Sequence, residues 1–123
     1  MTTHDEVPRV LCDTTGLVAG AGNDAGALWR LAEPGRQLDS NVVRLPPGER
    51  VGTHAEPDLD VMLLVLSGGG TLTTVEGEQP LTPGLLLWLP RTSSRALEAG
   101  DSGLCYLTVH RRRPGMRIRR PAG

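Results

Sequence analysis

The sequence contains no lysine and no phenylalanine, and its few aromatic residues are Trp29, Trp88 and Tyr106. No apolar run approaches the roughly 20 residues that a membrane-spanning helix needs, so we expect no contact with a membrane. There are only two cysteines, Cys12 and Cys105, and their spacing fits neither a C-x-x-C motif nor a metal knuckle. We therefore expect reduced thiols rather than a disulfide.

The length of the chain sets the scale of its fold. With 123 residues it can form one hydrophobic core but not two independent ones, so we expect a single domain. Near the start, Asp5 and Glu6 form an acidic pair where a secretory signal would carry positive charge, and no apolar stretch follows them. We therefore expect a cytoplasmic protein.

Glycine and proline are frequent, with 16 and 10 residues, and this much turn-forming sequence favours short strands over long helices. We divide the chain into a lead-in of loops and short edge strands at 1–37, a β-domain at 38–110 and a basic tail at 111–123. The predicted strands are 38–45, 51–56, 61–66, 71–75, 78–82, 85–89, 95–99 and 104–110. Such a series of short strands predicts an all-β sandwich or small barrel.

Two of these segments, 62–66 and 85–89, are apolar without alternation. In a β-protein this pattern indicates strands that are covered on both faces. Because the domain is small, we expect the outer cover to be a second subunit, and the sequence predicts a homodimer. Met62 and Trp88 are then core or interface residues.

Two groups of residues resemble the two motifs of the cupin family. The first motif combines two glycines, His-x-His and a glutamate at fixed spacing, and the second combines a glycine, Pro-x-Gly, a histidine and an asparagine. The matching positions are Gly48, His54, Glu56, Val61 and Gly68 for the first motif and Gly84, Pro90, Thr92, Arg95 and Ala99 for the second. The resemblance covers residues 38–110 and implies a cupin jelly-roll barrel, with 15 residues between the motifs as in compact one-domain cupins.

The resemblance also implies a metal site, formed by the histidines and the glutamate, but only His54 is unchanged here. Glu56 replaces the second histidine and retains an oxygen donor. Val61 has no donor atom, and Arg95 brings a permanent positive charge to the position of the last ligand. Because catalytic zinc and facial-triad iron keep three protein ligands, we expect no metal cofactor. The alternative is a degenerate site in which His54 and Glu56 hold one divalent ion such as iron, manganese, nickel or zinc.

Two aspartates bear on that alternative. Asp58 or Asp60 would complete a nitrogen and oxygen ligand set only if the loop folded inward, and for Asp60 this requires a shift of one residue along the strand. Loop solvation and turn capping form the simpler interpretation. A further one is an ion pair from Asp60 to a neighbouring strand, for example to Arg95.

His54 and Glu56 are two residues apart on a predicted strand, so their side chains share one face, which the resemblance makes the barrel interior. Arg95 reaches this interior from another strand. The predicted apolar lining is Leu63, Val65, Leu87 and Leu97. This pocket suits a small organic molecule, with His54 and Glu56 as candidate acid/base residues and Arg95 as a ligand-binding residue. In the other interpretation, Arg95 and Glu56 form a closed ion pair that His54 completes.

The last predicted strand and the tail add fewer functional signals. Tyr106 and His110 are four residues apart and share a face, and we place His110 at the rim or on the surface. The segment 111–123 contains six arginines and no acidic residue, which is the composition of a nucleic-acid-binding arm. The acidic body and the lack of spare stacking aromatics argue against nucleic acid, so we expect a solvated or subunit-crossing tail.

Three functions follow from the resemblance and the residues. The first is a metal-independent isomerase, dehydratase or cyclase acting on a small organic substrate. The second is a binding or sensor module with the same pocket and no turnover, and the third is a metal-dependent oxygenase with a degenerate His54 and Glu56 site. The fold alone does not distinguish these three functions, so the residues of the site must be used to do so.

Overall fold

The computed structural model describes residues 7–113. Within them, the secondary structure consists of one short helix and seven strands that pair in antiparallel fashion. In chain order the elements are α1 (Thr14–Ala19), β1 (Gly26–Arg30), β2 (Leu38–Leu45), β3 (Arg50–Ala55), β4 (Val61–Thr74), β5 (Gly77–Leu81), β6 (Leu86–Leu89) and β7 (Ser94–Arg111). The prediction of an all-β fold is confirmed.

The strands form two layers because β4 and β7 run through both. In one layer the order is β1-β2-β7-β4-β6, where β7 pairs with β2 through residues 104–111. In the other layer the order is β3-β7-β4-β5, where β7 pairs with β3 through residues 94–98. The inner faces of the two layers enclose the hydrophobic core.

The gaps between predicted strands at 67–70 and at 100–103 are bends inside the long strands β4 and β7. The two strands approach each other closely there. An added Cβ on Gly68 would lie 2.1 Å from the carbonyl oxygen of Gly103, and one on Gly70 would lie 2.1 Å from that of Glu98. Glycine is therefore needed at these positions for backbone contact between strands, rather than for a turn that ends a strand.

Alternate side chains of β4 and β6 point to opposite sides of the sheet. Leu63 and Val65 are buried, whereas Met62, Leu86 and Trp88 are 43%, 63% and 60% exposed. The expectation that both faces of 62–66 and 85–89 are covered is therefore not met within the described residues, and Trp88 is not a core residue. The core cluster consists of Leu45, Leu59, Val61, Leu63, Val65, Leu72, Leu81, Leu89, Leu97, Ala99, Leu104 and Tyr106.

The lead-in region contains a short helix that was not among the predicted elements. Asp13 caps α1 because its carboxylate accepts hydrogen bonds from the backbone N–H groups of Thr15 and Gly16, at 3.0 and 3.4 Å. The predicted edge strand of this region corresponds to β1, which pairs with β2. Cys12 and Cys105 are free thiols.

The predicted basic tail is described only as far as Arg113, and residues 114–123 lie outside the described residues. In the part of the chain that is described, no helix is long and apolar enough to cross a membrane.

Candidate functional site

A cavity of about 220 Å³ lies between the two layers of the barrel. Its wall combines aliphatic side chains with several polar and charged ones. The lining residues are Val51, His54, Glu56, Val61, Leu63, Leu89, Arg95, Leu97, Tyr106, Thr108, His110 and Arg113. Small-molecule sites usually combine apolar walls with convergent polar groups, and this cavity has both, with a larger polar share than is usual.

The pairing of β3 with β7 brings His54 and Arg95 together. They are direct partners in the antiparallel register, so their side chains emerge on the same face of the sheet. A bulge between Val51 and His54 adjusts the register just before this pair. The motif position that holds a ligand histidine in metal-binding cupins is thus occupied by a guanidinium directly opposite His54.

Arg95 is only 5% exposed. Its Nη1 donates to the carbonyl oxygens of Ser93 and Pro90, at 3.1 and 3.4 Å, and to the hydroxyl of Ser93 at 3.3 Å. Burial lowers the pKa of Arg95, and the nearby charge of Glu56 acts in the opposite direction. Because an arginine starts from so high a pKa, Arg95 remains a cation, held rigidly in the cavity wall.

His54 is oriented by its own strand. Its Nδ1 lies 2.9 Å from the carbonyl oxygen of Gly52. A carbonyl oxygen only accepts hydrogen bonds, so Nδ1 is the donor and, in the neutral ring, Nε2 is left with its lone pair. His54 can therefore accept a proton or a hydrogen bond through Nε2.

Glu56 follows β3 directly and forms an ion pair with Arg113, not with Arg95. The Nη2 and Nη1 atoms of Arg113 donate to Oε2 and Oε1 of Glu56, at 2.5 and 3.3 Å. The hydrogen bond from Arg113 is the main cause that lowers the pKa of Glu56, opposed by burial and assisted by the N–H of Asp58. The same pair raises the pKa of Arg113. The alternative prediction, an ion pair between Arg95 and Glu56, is therefore not what the structure shows. Glu56 pairs instead with Arg113, which follows the last strand.

Neither aspartate of the β3–β4 loop points toward a metal site. Asp60 accepts a hydrogen bond from the backbone N–H of Arg91 at 2.8 Å, and its other oxygen lies 3.6 Å from Nη1 of the same arginine. Its ion-pair partner is therefore Arg91 rather than Arg95. Asp58 donates its N–H to Glu56 at 3.2 Å. The Asp60 side chain thus ties the start of β4 to the turn after β6, which agrees with the turn capping of the simpler interpretation.

The donor set does not suit a divalent cation. Within residues 7–113, no three His, Cys, Asp or Glu side chains come close enough together to hold a metal ion. The remaining pair of motif donors is His54 and Glu56, and the Glu56 carboxylate is occupied by the guanidinium of Arg113. A second guanidinium, that of Arg95, lies in the same cavity wall. Two cations and two donors disfavour metal binding.

The predicted aliphatic lining is only partly present in the cavity. Leu63 and Leu97 line it, whereas Val65 and Leu87 do not. Val65 is 1% exposed within the core, and Leu87 packs against the core from β6. Val65 lies two residues further along β4 than Leu63, and Leu87 is the cross-strand partner of Leu63 on β6. Both face inward but pack into the core rather than onto the cavity.

Several lining residues were not predicted as site residues. Tyr106, Thr108 and His110 alternate along β7 and all three line the cavity, so His110 is not confined to the outer surface. Burial raises the pKa of Tyr106, which keeps its hydroxyl protonated as a hydrogen-bond donor. These three residues could have been predicted from their spacing, because side chains two residues apart on a strand share one face. Arg113 has no such signal, because it is one of three consecutive arginines.

No family model and no curated protein sequence matches this chain. Its structure does match solved structures. A Bacillus halodurans protein aligns with a TM-score of 0.69 and 19% identity over 93% of this chain and 89% of its own. A cupin-2 domain protein from Shewanella frigidimarina aligns with a TM-score of 0.64 and 12% identity over 83% and 95% of the two chains. The fold is therefore the cupin jelly roll, as the motif resemblance predicts.

A sugar phosphate isomerase of the cupin superfamily from Silicibacter pomeroyi is 26% identical over 64% of this chain, with a TM-score of 0.57. The alignment spans 53% of the isomerase, so this chain matches about half of that protein. KdgF from Halomonas aligns with a TM-score of 0.60 and 19% identity, over 72% of this chain and 91% of its own. These similarities establish the fold, and function must be argued from the site.

Proposed function

We propose that this protein binds a small organic molecule in the barrel cavity without using a metal ion. The observation that carries the proposal is the composition of the cavity wall, in which five aliphatic side chains lie beside a convergent set of polar and charged ones that includes His54, Arg95 and Tyr106. The volume of about 220 Å³ lies below the range of drug-sized pockets and suits a compact metabolite.

The charges of the cavity favour a ligand that carries oxygen atoms with negative charge. Among residues 7–113, no carboxylate forms an ion pair with Arg95, and its hydrogen bonds go to neutral oxygens of Pro90 and Ser93. The Glu56 carboxylate, whose charge also acts on Arg95, is held in the ion pair with Arg113. The cavity wall thus holds two guanidinium groups and one carboxylate, and this excess of positive charge stabilises an anionic or carbonyl oxygen of the ligand.

A thermal-shift screen tests this function, with small hydroxy acids, keto acids and sugar phosphates as probes. A binding probe is expected to raise the Tm once its concentration exceeds Kd, and the stabilisation is expected to grow with the logarithm of the ratio of concentration to Kd. Val51→Trp fills the cavity from a half-buried lining position and is expected to abolish the shift. Val75→Trp adds the same bulk at an exposed turn and is expected to retain it. Equal shifts in both variants would place the ligand outside the barrel.

A metal-independent proton transfer is the second candidate, because a proton acceptor and a proton donor line the same cavity. Nε2 of His54 carries a free lone pair when neutral, and the Tyr106 hydroxyl is kept protonated by burial. Glu56 suits this role less well, since Arg113 holds its carboxylate ionised and occupied. A histidine base with a phenol donor is the minimal set for moving a proton next to a carbonyl group.

Exchange in D₂O distinguishes an enzyme from a binder. For any probe that binds, proton NMR is expected to show deuterium incorporation at the carbon next to its carbonyl group if His54 moves a proton. His54→Gln is then expected to stop the exchange while the thermal shift persists. A ligand recovered without deuterium after long incubation would identify a binding or sensor module.

We also propose that the protein forms a homodimer through the outer face of β4 and β6. Met62 and Trp88 are direct cross-strand partners, and Leu86 lies two residues from Trp88 on the same side. All three are exposed apolar residues, and the half-buried Leu64 and Val109 adjoin them. Monomeric proteins rarely expose a contiguous apolar patch of this kind, and a second copy would cover it.

Light scattering on a sizing column tests the dimer. The wild-type protein is expected to elute at twice the chain mass, and Leu86→Glu is expected to shift it to a monomer because a buried unpaired charge opposes association. Val75→Glu introduces the same charge at the exposed β4–β5 turn and is expected to leave the dimer intact. A wild-type monomer at high concentration would exclude the proposed interface.

A further inference from the structure

A second recess adjoins the barrel cavity and is lined mainly by polar side chains. Its volume is about 390 Å³. The lining residues are Arg30, Leu31, Arg36, Asp39, Ser40, Asn41, His110 and Arg113. We refer to this space as the arginine recess. His110 and Arg113 line both the arginine recess and the barrel cavity, so the two spaces share a wall.

The strand register makes the arginine recess a continuation of the barrel interior. Arg30 pairs with Asn41 across β1 and β2, Asn41 pairs with Thr108 across β2 and β7, and Thr108 pairs with Leu63 across β7 and β4. Direct cross-strand partners point to the same face of a sheet. Arg30, Asn41, Thr108 and Leu63 therefore form one row, which changes from apolar inside the barrel to cationic at its edge.

The arginine recess concentrates positive charge on a chain whose formal net charge is −1. It contains three guanidinium groups and one carboxylate, that of Asp39. Asp39 is bound to Arg36, whose Nε donates to Oδ1 at 3.0 Å. Arg113 is balanced by Glu56 from the barrel side. Among the described residues, no acceptor contacts the side chain of Arg30.

Two side chains of the arginine recess, those of Arg36 and His110, are also held in place. Nη1 of Arg36 donates to the carbonyl oxygen of Glu33 at 3.1 Å, in addition to its bond with Asp39. The Nδ1 of His110 lies 2.7 Å from the carbonyl oxygen of Arg111, which fixes the ring. Donors that are fixed before binding lose less entropy when an anion arrives.

From this geometry we infer that the arginine recess is an oxyanion subsite, and that the ligand of the barrel carries a carboxylate or phosphate group that binds there. Arg30, Arg36 and Arg113 would contact the anionic group, while the rest of the molecule enters the barrel past Thr108. The inference rests on the proposed function for the identity of the whole ligand, but the subsite itself can be tested alone.

Isothermal titration with inorganic phosphate, and separately with malonate, tests the arginine recess without requiring the barrel to be filled. We expect at least one of the two anions to bind at low ionic strength, and the better one identifies the anionic group. Arg30→Gln and Arg113→Gln are each expected to weaken binding by about tenfold, because each removes a charged hydrogen-bond donor.

Arg112→Gln is the matched control, because it removes the same charge one residue away from Arg113. The backbone N–H of Arg112 donates to Gln37, and its side chain lines neither cavity. We expect its affinity for the anion to stay within about twofold of the wild type. Equal losses in all three variants would reduce the effect to general charge attraction and overturn the subsite, as would the absence of binding by both anions. Neither result would bear on the proposal that the barrel cavity binds a ligand, which the thermal-shift screen tests separately.

Discussion

Arg113 holds the carboxylate of Glu56 with both terminal nitrogens, and so joins the end of β3 to the segment that follows β7. The contact crosses 57 residues of sequence. Glu56 is half-buried in the cavity wall, whereas Arg113 is mainly exposed. This ion pair therefore forms part of the rim of the barrel and couples the charge of the site to the position of the chain beyond the last strand.

The ion pair predicts a specific dependence of stability on pH. Arg113 lowers the pKa of Glu56 below its ordinary value of 4.5 in the folded protein. A lowered pKa means that the pair stabilises the fold fully above pH 4.5, and that this contribution is lost as the pH falls through the folded pKa. At pH 7, Glu56→Gln is expected to cost up to about 1 kcal/mol of unfolding free energy, because the pair is partly exposed to solvent.

Urea denaturation of the wild type and of Glu56→Gln measures this effect at pH 7 and at successive steps below pH 4.5. The difference between the two proteins is expected to shrink toward zero on acidification. Glu76→Gln is the control, because among the described residues no arginine contacts this carboxylate. A wild-type advantage that stays constant into acid would show that the Glu56 pair does not form in solution.

The donor set of the cavity predicts that the purified protein retains no metal ion. Elemental analysis of untagged protein, prepared without chelators, is expected to give no near-stoichiometric iron, manganese, nickel or zinc, and reconstitution is expected to add none. The physical reason is the pair of guanidinium groups, Arg95 and Arg113, beside only two motif donors, His54 and Glu56.

His54→Ala is the informative companion in that measurement. If the wild type carries a metal and this variant loses it, the prediction of a metal-free site is wrong. His54 would then belong to a degenerate metal site of the oxygenase or Lewis-acid type. If neither protein carries a metal, the variant is expected to differ only in ligand binding or in proton exchange.

The positions of most strands were predictable because the turn signals are local. The Pro46-Pro47-Gly48 turn and the Pro83-Gly84 turn both interrupt the chain at the ends of real strands. The single strand β4 was predicted as two strands, 61–66 and 71–75, because a glycine that ends a strand and a glycine that lets two strands touch look alike in sequence. Only the paired strand, with the carbonyl oxygens of Glu98 and Gly103, distinguishes them.

Part of the site was also predictable, because the motif residues lie at fixed spacings along the chain. The motif positions brought His54 and Arg95 into the cavity because the spacing of motif residues fixes which strands meet. Arg113 was not predictable, since nothing in the sequence separates it from Arg112. Alternation placed Val65 on the inward face correctly, but depth along the barrel depends on the shear of the strands and not on period.

The close contact at Gly70 predicts a large loss of stability for Gly70→Ala. The added methyl group would lie 2.1 Å from the carbonyl oxygen of Glu98, and backbone on both sides limits relaxation. We expect a cost of about 1–3 kcal/mol in urea or thermal unfolding. Gly52→Ala is the matched control in β3, where an added Cβ meets nothing within 4 Å. Similar losses in both variants would mean that β4 and β7 do not approach each other at Gly70 as closely as described.

Thr92 predicts an opposite effect, a stabilising substitution next to the site. It stands where the second motif carries a glycine, and its φ is 68°, in the left-handed region that β-branched residues avoid. Its N–H donates to the carbonyl oxygen of Glu56 at 2.7 Å, which ties the β6–β7 turn to the end of β3 and holds the strained conformation in place.

Thr92→Gly keeps this hydrogen bond and removes the strain. We expect it to raise the unfolding free energy by about 1 kcal/mol, because the relief of left-handed strain exceeds the entropy that glycine adds to the unfolded chain. Thr73→Gly, at an exposed position of β4, is the control and is expected to lower stability instead. A loss of stability in Thr92→Gly equal to that in Thr73→Gly would show that Thr92 adopts an ordinary backbone conformation in solution.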